Sequence, residues 1–407
     1  MHENQAVRDN TRQMDTLETD IAIIGAGIVG AATAYALKVG LKTDLRVLLV
    51  ERDTSYRLCS TARSAGGIRQ QFSTPENIHL SLATLDLVRN LKRHFGPDAD
   101  VGFREHGYLV MASADGAATI RSNAAIQRAH GGDIHVADST ALAARFPWLA
   151  TDGIAVGAYS TSGEGWADPS ALMNLLRAAA ITAGAELVRG DVTDLVTRAD
   201  RVTHIRLADG QSIAATHVVN AAGAWSGAVA RLAGAHIPVE PRKRYVYVVD
   251  CREATDDLRR APLTVDPTGV WFRPEGRAFI CGISPAEADE PPAEDLDQID
   301  DAPFTDLVWP ALAQRVPVFE SLRMTGAWAG FYDYNTLDQN ALIGRVPGFG
   351  NFYAATGFSG HGFQQAYAAG RAIAEEIVFG RQTSLDLSRF SVDRVARNEP
   401  VFELNII

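Results

Sequence analysis

Three glycines, in the order Gly25-Ala26-Gly27-Ile28-Val29-Gly30, stand between the apolar run Asp20-Ile21-Ala22-Ile23-Ile24 and an alanine-rich stretch with helical character to about Val39. That spacing suits a dinucleotide. The first glycine permits a tight turn, the second lets a pyrophosphate approach the backbone, and the third lets the helix pack closely on the strand. Free N–H groups and the dipole at the helix start then hold the phosphates. Arg46 to Val50 reads as a second buried strand, and Glu51 ends it where a carboxylate can accept from ribose hydroxyls. Glycine-rich turns also arise for steric reasons alone; here strand, helix and terminal acid are in register. The pattern does not separate nicotinamide from flavin dinucleotides.

Distant segments do. Ser60-Thr61-Ala62-Arg63-Ser64-Ala65-Gly66-Gly67 follows the βαβ unit, and Asn220-Ala221-Ala222-Gly223-Ala224-Trp225 ends a later strand. Gly357-Phe358-Ser359-Gly360-His361-Gly362-Phe363 precedes the last helix. With the fingerprint, these resemble the FAD-dependent oxidoreductases of the D-amino-acid oxidase superfamily, in its sarcosine oxidase and dimethylglycine dehydrogenase branch. Within that branch, STARSAGGIRQQFSTPENIHLSL, PVEPRKRYVYVVD, WAGFYDYNTLDQN and ATGFSGHGFQQA are similar to the mitochondrial FAD-dependent oxidoreductase-domain proteins linked to respiratory complex I assembly. That likeness runs from about residue 18 to Asn405-Ile406-Ile407.

The resemblance implies an α/β fold (α+β overall) of D-amino-acid-oxidase type. A Rossmann-like FAD-binding domain is expected from 18–92, 151–235 and 335–395, with an antiparallel-sheet substrate domain from 93–150 and 236–334. Residues 1–17 are expected as a disordered tail and 396–407 as a C-terminal tail. The same resemblance places FAD against Gly25, Gly27, Ile28, Val29, Gly30, Glu51, Arg52, Ser60, Thr61, Arg63, Ser64, Ala65, Gly66, Gly67, Val192, Ala222, Gly223, Trp225 and Gly357 through Phe363.

Flavin oxidation of an amino acid removes a hydride from a carbon next to nitrogen. The protein must hold the substrate carboxylate, admit a neutral amine and stabilise charge on the reduced ring. A guanidinium fork suits a carboxylate. Arg69 matches the branch's carboxylate arginine, the alternative being a surface or phosphate-facing arginine. His361 matches the branch's active-site histidine, unless it only fixes the turn before the last helix, whose N-terminus should aim at the flavin. Arg273, in Trp271-Phe272-Arg273-Pro274, is a second candidate anion anchor or an exposed strand arginine. Tyr245, Tyr247, Tyr332 and Tyr334 are pocket walls or core with a wet hydroxyl, and Arg242-Lys243-Arg244 reads as solvated surface.

Three departures from the sarcosine oxidase pattern stand out. Gln364 replaces the lysine that completes the carboxylate clamp. The lysine credited with activating oxygen aligns near Ile280, which leaves fast oxidase chemistry in doubt. The flavin-linking cysteine aligns with Ala329 and the dimethylglycine dehydrogenase histidine with Arg63, so the FAD should be noncovalent.

Around these residues the chain reads as strands and helices in α/β order. Thr74-Pro75-Glu76 starts a helix predicted to reach about Phe95, and Asp168-Pro169 starts another that Gly184 closes. Strands are predicted at Gly107 to Met111, Ile154 to Tyr159, and near Glu186, Val202 and Ile213. Residues 241–332 are rich in β-formers, interrupted by an acidic stretch, 284–302, expected as a solvated loop. The 407 residues, 46% apolar and 21% charged, suit two globular domains. A net charge of −11 argues against nucleic-acid or anionic-membrane binding. Three scattered cysteines, Cys59, Cys251 and Cys281, exclude a disulfide framework and a thiolate metal cluster, and fit a reducing compartment. The first 17 residues lack an apolar targeting core, so a cytoplasmic protein without stable membrane insertion, favoured as a monomer, is expected.

The leading reading is oxidation of a secondary or N-substituted amino acid (sarcosine-, dimethylglycine-, iminodiacetate- or opine-like), with oxygen or another acceptor taking the electrons. Two others stay open: a dehydrogenase that avoids oxygen, and a flavoprotein whose main task is assembling a respiratory complex.

Overall fold

The fingerprint strand, Thr16–Ile24, lies inside the first of two large sheets in this computed structural model, which describes residues 16–404. It pairs in parallel with Val47–Glu51 on one side and with Ser212–Asn220 on the other. Glu186–Arg189 and Phe352–Thr356 extend the sheet in parallel, Leu342–Arg345 closes one edge antiparallel, and the hairpin strands Val192–Arg198 and Arg201–Leu207 branch from Ser212–Asn220. Side chains alternate across the pleat. Ile21 and Ile23 enter one apolar core, packed with the helices Ile28–Tyr35, Pro169–Thr182 and Gly362–Phe379, while Ala22 and Ile24 enter another on the opposite face. Burial on both faces explains why this strand reads as an unbroken apolar run.

The second sheet runs in the order Arg323–Asn335, Val239–Asp250, Ala278–Gly282, Trp271–Glu275, Leu263–Val265, Tyr108–Ala112, Val156–Ser160 and Ile134–Asp138. Its pairings are antiparallel except Leu263–Val265 against Tyr108–Ala112. Gly67–Ile68 and Gly165–Trp166 form a small third sheet beside the first two. The architecture is the expected mixed α/β class.

Several segments differ from the sequence reading. Val156–Ser160 pairs with Tyr108–Ala112 and Ile134–Asp138, so it belongs to the second sheet rather than with the 151–235 dinucleotide segment. The helix from Pro75 ends at Arg89; Asn90, outside helical geometry, separates it from Leu91–Phe95. Residues 1–15 of the expected N-terminal tail lie outside the described residues, and Thr16 and Leu17 already pair with Ser212 and Ile213. Of the expected C-terminal tail, residues 396–404 are described, and Glu403 ties them to the rest of the fold. The buried Glu403 carboxylate accepts from Ser73 N and Oγ (both 2.7 Å), Thr74 N (2.9 Å) and Asn77 Nδ2 (2.8 Å), and so caps the helix Pro75–Arg89 from outside. Among the described residues no helix is long and apolar enough to cross a membrane.

Candidate active site

A cleft of about 530 Å³ opens where the carboxyl ends of the parallel strands meet the second sheet. Gly25, Gly27, Ile28, Val29, Glu51, Arg52, Ser60, Thr61, Arg63, Ser64, Ala65, Gly66, Gly67, Val192, Ala222, Gly223, Trp225, Phe358, Gly360, His361, Gly362 and Phe363 all line it. Gly30, Gly357 and Ser359 do not: Gly30 packs against Gly25 from inside the helix Ile28–Tyr35, and Gly357 and Ser359 shape the turn before the helix Gly362–Phe379. These residues lie far apart in the chain, and the first sheet assembles them by ending its strands side by side.

The glycine turn shows why its residue types are needed. Gly25 has φ +100°, and a side chain there would overlap the carbonyl of Ala221 on the neighbouring strand. Gly27 begins the helix Ile28–Tyr35, whose first turn holds no acidic residue, so its positive end faces the cleft uncompensated. Ile28 N–H donates to Thr61 Oγ1 at 3.3 Å. Glu51 accepts from Ala26 N at 2.9 Å and from Asp53 N at 3.0 Å, so it also holds the turn in shape. The Arg52 guanidinium lies over the Trp225 ring at 3.7 Å. A bare backbone cradle, a helix start and a carboxylate at the strand end fit the pyrophosphate and ribose of FAD.

At the other end Arg69, His361 and Gln364 come together. Arg69 Nη2 lies 3.1 Å from His361 Nε2, and Gln364 Oε1 accepts from Arg69 N (2.7 Å) and Ser81 Oγ (3.1 Å). Because a guanidinium only donates, His361 Nε2 must accept, which leaves the ring neutral with its proton on Nδ1. Burial, reinforced by the Arg69 charge, holds the His361 pKa well below its usual value. Arg69 itself is buried, its Nε has no partner among the described residues, and its guanidinium lies 4.6 Å over Phe72. Gln364 thus grips the arginine's backbone, not its charge.

Arg273 is a correction. It does not line the cleft: it donates to Ala65 O (2.8 Å), pairs with Glu275 and lies over Trp166, a strut between the second sheet and the 60–67 loop. Of the four tyrosines, Tyr245 and Tyr332 reach the cleft, whereas Tyr247 sits in the sheet core with its hydroxyl on Asp300 O and Tyr334 lies under Arg242. Ile280 is buried in its strand, away from the cleft; Ile283 and Ser284 line it instead. Ala329 is buried in the sheet, and Arg63 is tied to Arg57 O and Ala329 O.

The basic run is not solvated surface. Lys243 and Arg244 are both buried, and Arg244 lines the cleft in a two-pronged pair with Glu290 (2.7 and 2.8 Å). Two carboxylates also escaped the sequence reading. Asp333, in the cleft wall, accepts from Phe358 N at 3.1 Å, yet burial raises its pKa to about 6. Glu164, fully buried, accepts from Gln70 N and Gln71 Nε2 behind Arg69, with a pKa likewise raised by burial. No local pattern marks their roles: Lys243 and Arg244 stand in a basic run, Asp333 is a single charge in a β-forming stretch, and Glu164 sits in a glycine- and serine-rich turn.

A parallel sheet carrying a dinucleotide turn, closed by an antiparallel sheet over a cleft between them, defines an FAD-binding oxidoreductase of D-amino-acid-oxidase type. The chain belongs to the FAD dependent oxidoreductase (DAO) family, whose pattern matches residues 20–376. It is 42% identical to FAD-dependent oxidoreductase domain-containing protein 1 of Xenopus laevis, over 95% of this chain and 85% of that one. Mouse mitochondrial sarcosine dehydrogenase is more distant, 28% identical over 91% of this chain and 41% of its own length. Among solved structures, L-proline dehydrogenase from P. horikoshii superposes with a TM-score of 0.82 at 26% identity, covering 95% of this chain and all of that one.

Proposed function

We propose that this chain oxidises an N-substituted amino acid at the carbon–nitrogen bond. The observation that carries this reading is Arg69, a buried guanidinium in the cleft wall whose side chain meets a neutral histidine instead of a carboxylate. A buried guanidinium that no carboxylate touches is costly, and a substrate carboxylate meets that need with two charge-assisted hydrogen bonds. Bound FAD supplies the hydride acceptor, and water then splits the resulting imine into an amine and an oxo acid. Neutral His361 adds no second positive charge beside Arg69, so it can stand next to an amine that must itself be neutral to react. The start of the helix Gly362–Phe379 directs its positive end into the cleft, where it stabilises negative charge. Named substrates of this kind are sarcosine-, dimethylglycine-, iminodiacetate- and opine-like compounds.

Anaerobic mixing with a panel of N-substituted glycines tests the proposal. Bleaching of the flavin absorbance supports it. A flavin that stays oxidised with every compound would point to FAD as a structural element of an assembly protein. Admitting oxygen to the bleached enzyme then separates an oxidase, which recolours quickly, from a dehydrogenase, which needs another acceptor.

A further inference from the structure

We infer that the substrate carries a second carboxylate, that Arg244 receives it, and that Glu290 holds Arg244 until it arrives. This rests on the proposed amino-acid oxidation and narrows its substrate class. Arg244, on the strand Val239–Asp250, lines the same cleft as Arg69, and its Nε is buried with no partner among the described residues. Its guanidinium lies 5.3 Å over the Tyr332 ring. Tyr332 packs so closely on Gly360 that any side chain there would run into its ring, and His361, the next residue, touches Arg69. The two guanidiniums therefore flank one phenol along one wall.

They differ in what neutralises them. Among the described residues no carboxylate hydrogen-bonds the Arg69 side chain, the buried Glu164 acting on it only at a distance, whereas Arg244 is matched prong for prong by Glu290. Glu290 does not come from the sheet. It stands in 284–302, a segment without strand pairing that starts at the cleft lining and is tied back by the Lys243 ammonium to Asp295 O and Gln298 O, by Arg57 to Asp297 and by Tyr247 Oη to Asp300 O. A buried ion pair seldom repays its desolvation as a stability device. A fork-shaped cation that lines a ligand cleft and is covered by a carboxylate on a loop is instead suited to exchange: a ligand carboxylate replaces Glu290 without changing the charge count at Arg244, and Glu290 returns to water. A monocarboxylate would satisfy Arg69 and leave this exchange unused. The occupant that uses both is an N-substituted amino acid with a second carboxylate on its N-substituent or side chain.

The test is anaerobic flavin reduction by N-methylglycine and by N-(2-carboxyethyl)glycine and N-(3-carboxypropyl)glycine, read as the ratio of diacid to monoacid second-order rate constants. The wild type should favour a diacid. Arg244→Met should lower that ratio about tenfold or more, the equivalent of one charge-assisted hydrogen bond. Glu290→Gln, which removes the competing carboxylate and keeps the side chain's size, should raise it. A ratio unchanged in both variants, or a wild type that prefers the monoacid, would overturn the inference and leave Arg244–Glu290 as a fastening of the loop. Should Arg244→Met fail to fold, Glu290→Gln decides alone. Flavin untouched by every compound would sink the amino-acid oxidation itself, a result distinct from reduction without discrimination.

Discussion

Replacing Arg69 tests the active-site reading most directly, because the backbone and the side chain of that residue are held separately. Its N–H is fixed by Gln364 Oε1 at 2.7 Å, so a substitution leaves the local chain anchored while the cation changes. Arg69→Lys keeps the charge and loses the two-pronged geometry. One charge-assisted hydrogen bond is worth about 1.5–3 kcal/mol, so the second-order rate of anaerobic flavin reduction should fall roughly ten- to a hundredfold while FAD stays bound. Arg69→Ala should fall further, since Gln364 offers no charge in compensation. It should also release one of the two influences that depress His361, burial being the other and the larger. The histidine's pKa then rises toward its usual value, and the acid limb of the rate profile moves to higher pH. Stopped-flow reduction across pH, with whichever compound bleaches the wild type, measures both effects. Wild-type rates in both variants would refute the assignment and shift attention to Arg244, the other buried guanidinium in the cleft wall. Loss of FAD from both would make Arg69 a cofactor residue.

Glu51→Ala should weaken FAD binding and lower thermal stability together, because the carboxylate holds both Ala26 N and Asp53 N; equilibrium dialysis and a melting curve of the FAD-free protein separate the two effects. Acid precipitation should release all the FAD, because Ala329 and Arg63 offer no side chain for a covalent link; flavin left in the pellet would contradict this. Asp333 binds its proton more tightly in the folded chain, with a pKa near 6 against 3.8, so this group alone takes away about 3 kcal/mol of stability as pH rises from below 4 to above 6. Asp333→Asn should show a correspondingly smaller loss by urea unfolding at pH 4.5 and 7.5. Glu403→Ala strands four donors at the start of the helix Pro75–Arg89 and should cost about 2–4 kcal/mol, with Glu403→Gln milder, both read from denaturant midpoints.

The dinucleotide half of the cleft was legible because its chemistry is local. Gly25, Gly27 and Gly30 act within one turn, and the acid they need ends the adjacent strand, so spacing along the chain reports spacing in space. The same holds for the turn before Gly362, where six residues create a helix start. Arg69 and His361 could be brought together only through the family resemblance, since 292 positions separate them and no spacing rule spans that distance.

Charged residues in the second sheet mark where local reading ends. Arg242, Lys243 and Arg244 look alike in sequence, and a run of three basic residues on a strand is ordinarily solvated. Their fates diverge because the pleat and the 284–302 segment treat them differently: Lys243 turns under the acidic segment, Arg244 lines the cleft, and Arg242 lies half-buried over Tyr334. Arg273 shows the converse. Its motif suggested an anion site, but Ala65 O and Glu275 already occupy its guanidinium. An arginine's type announces that it can bind an anion; whether it is free to do so depends on which carboxylates and carbonyls the rest of the chain brings to it. In this cleft no carboxylate among the described residues touches the Arg69 guanidinium, Arg273 is held by Ala65 O and Glu275, and Arg244 stands between them, paired with a carboxylate on a segment outside the sheets.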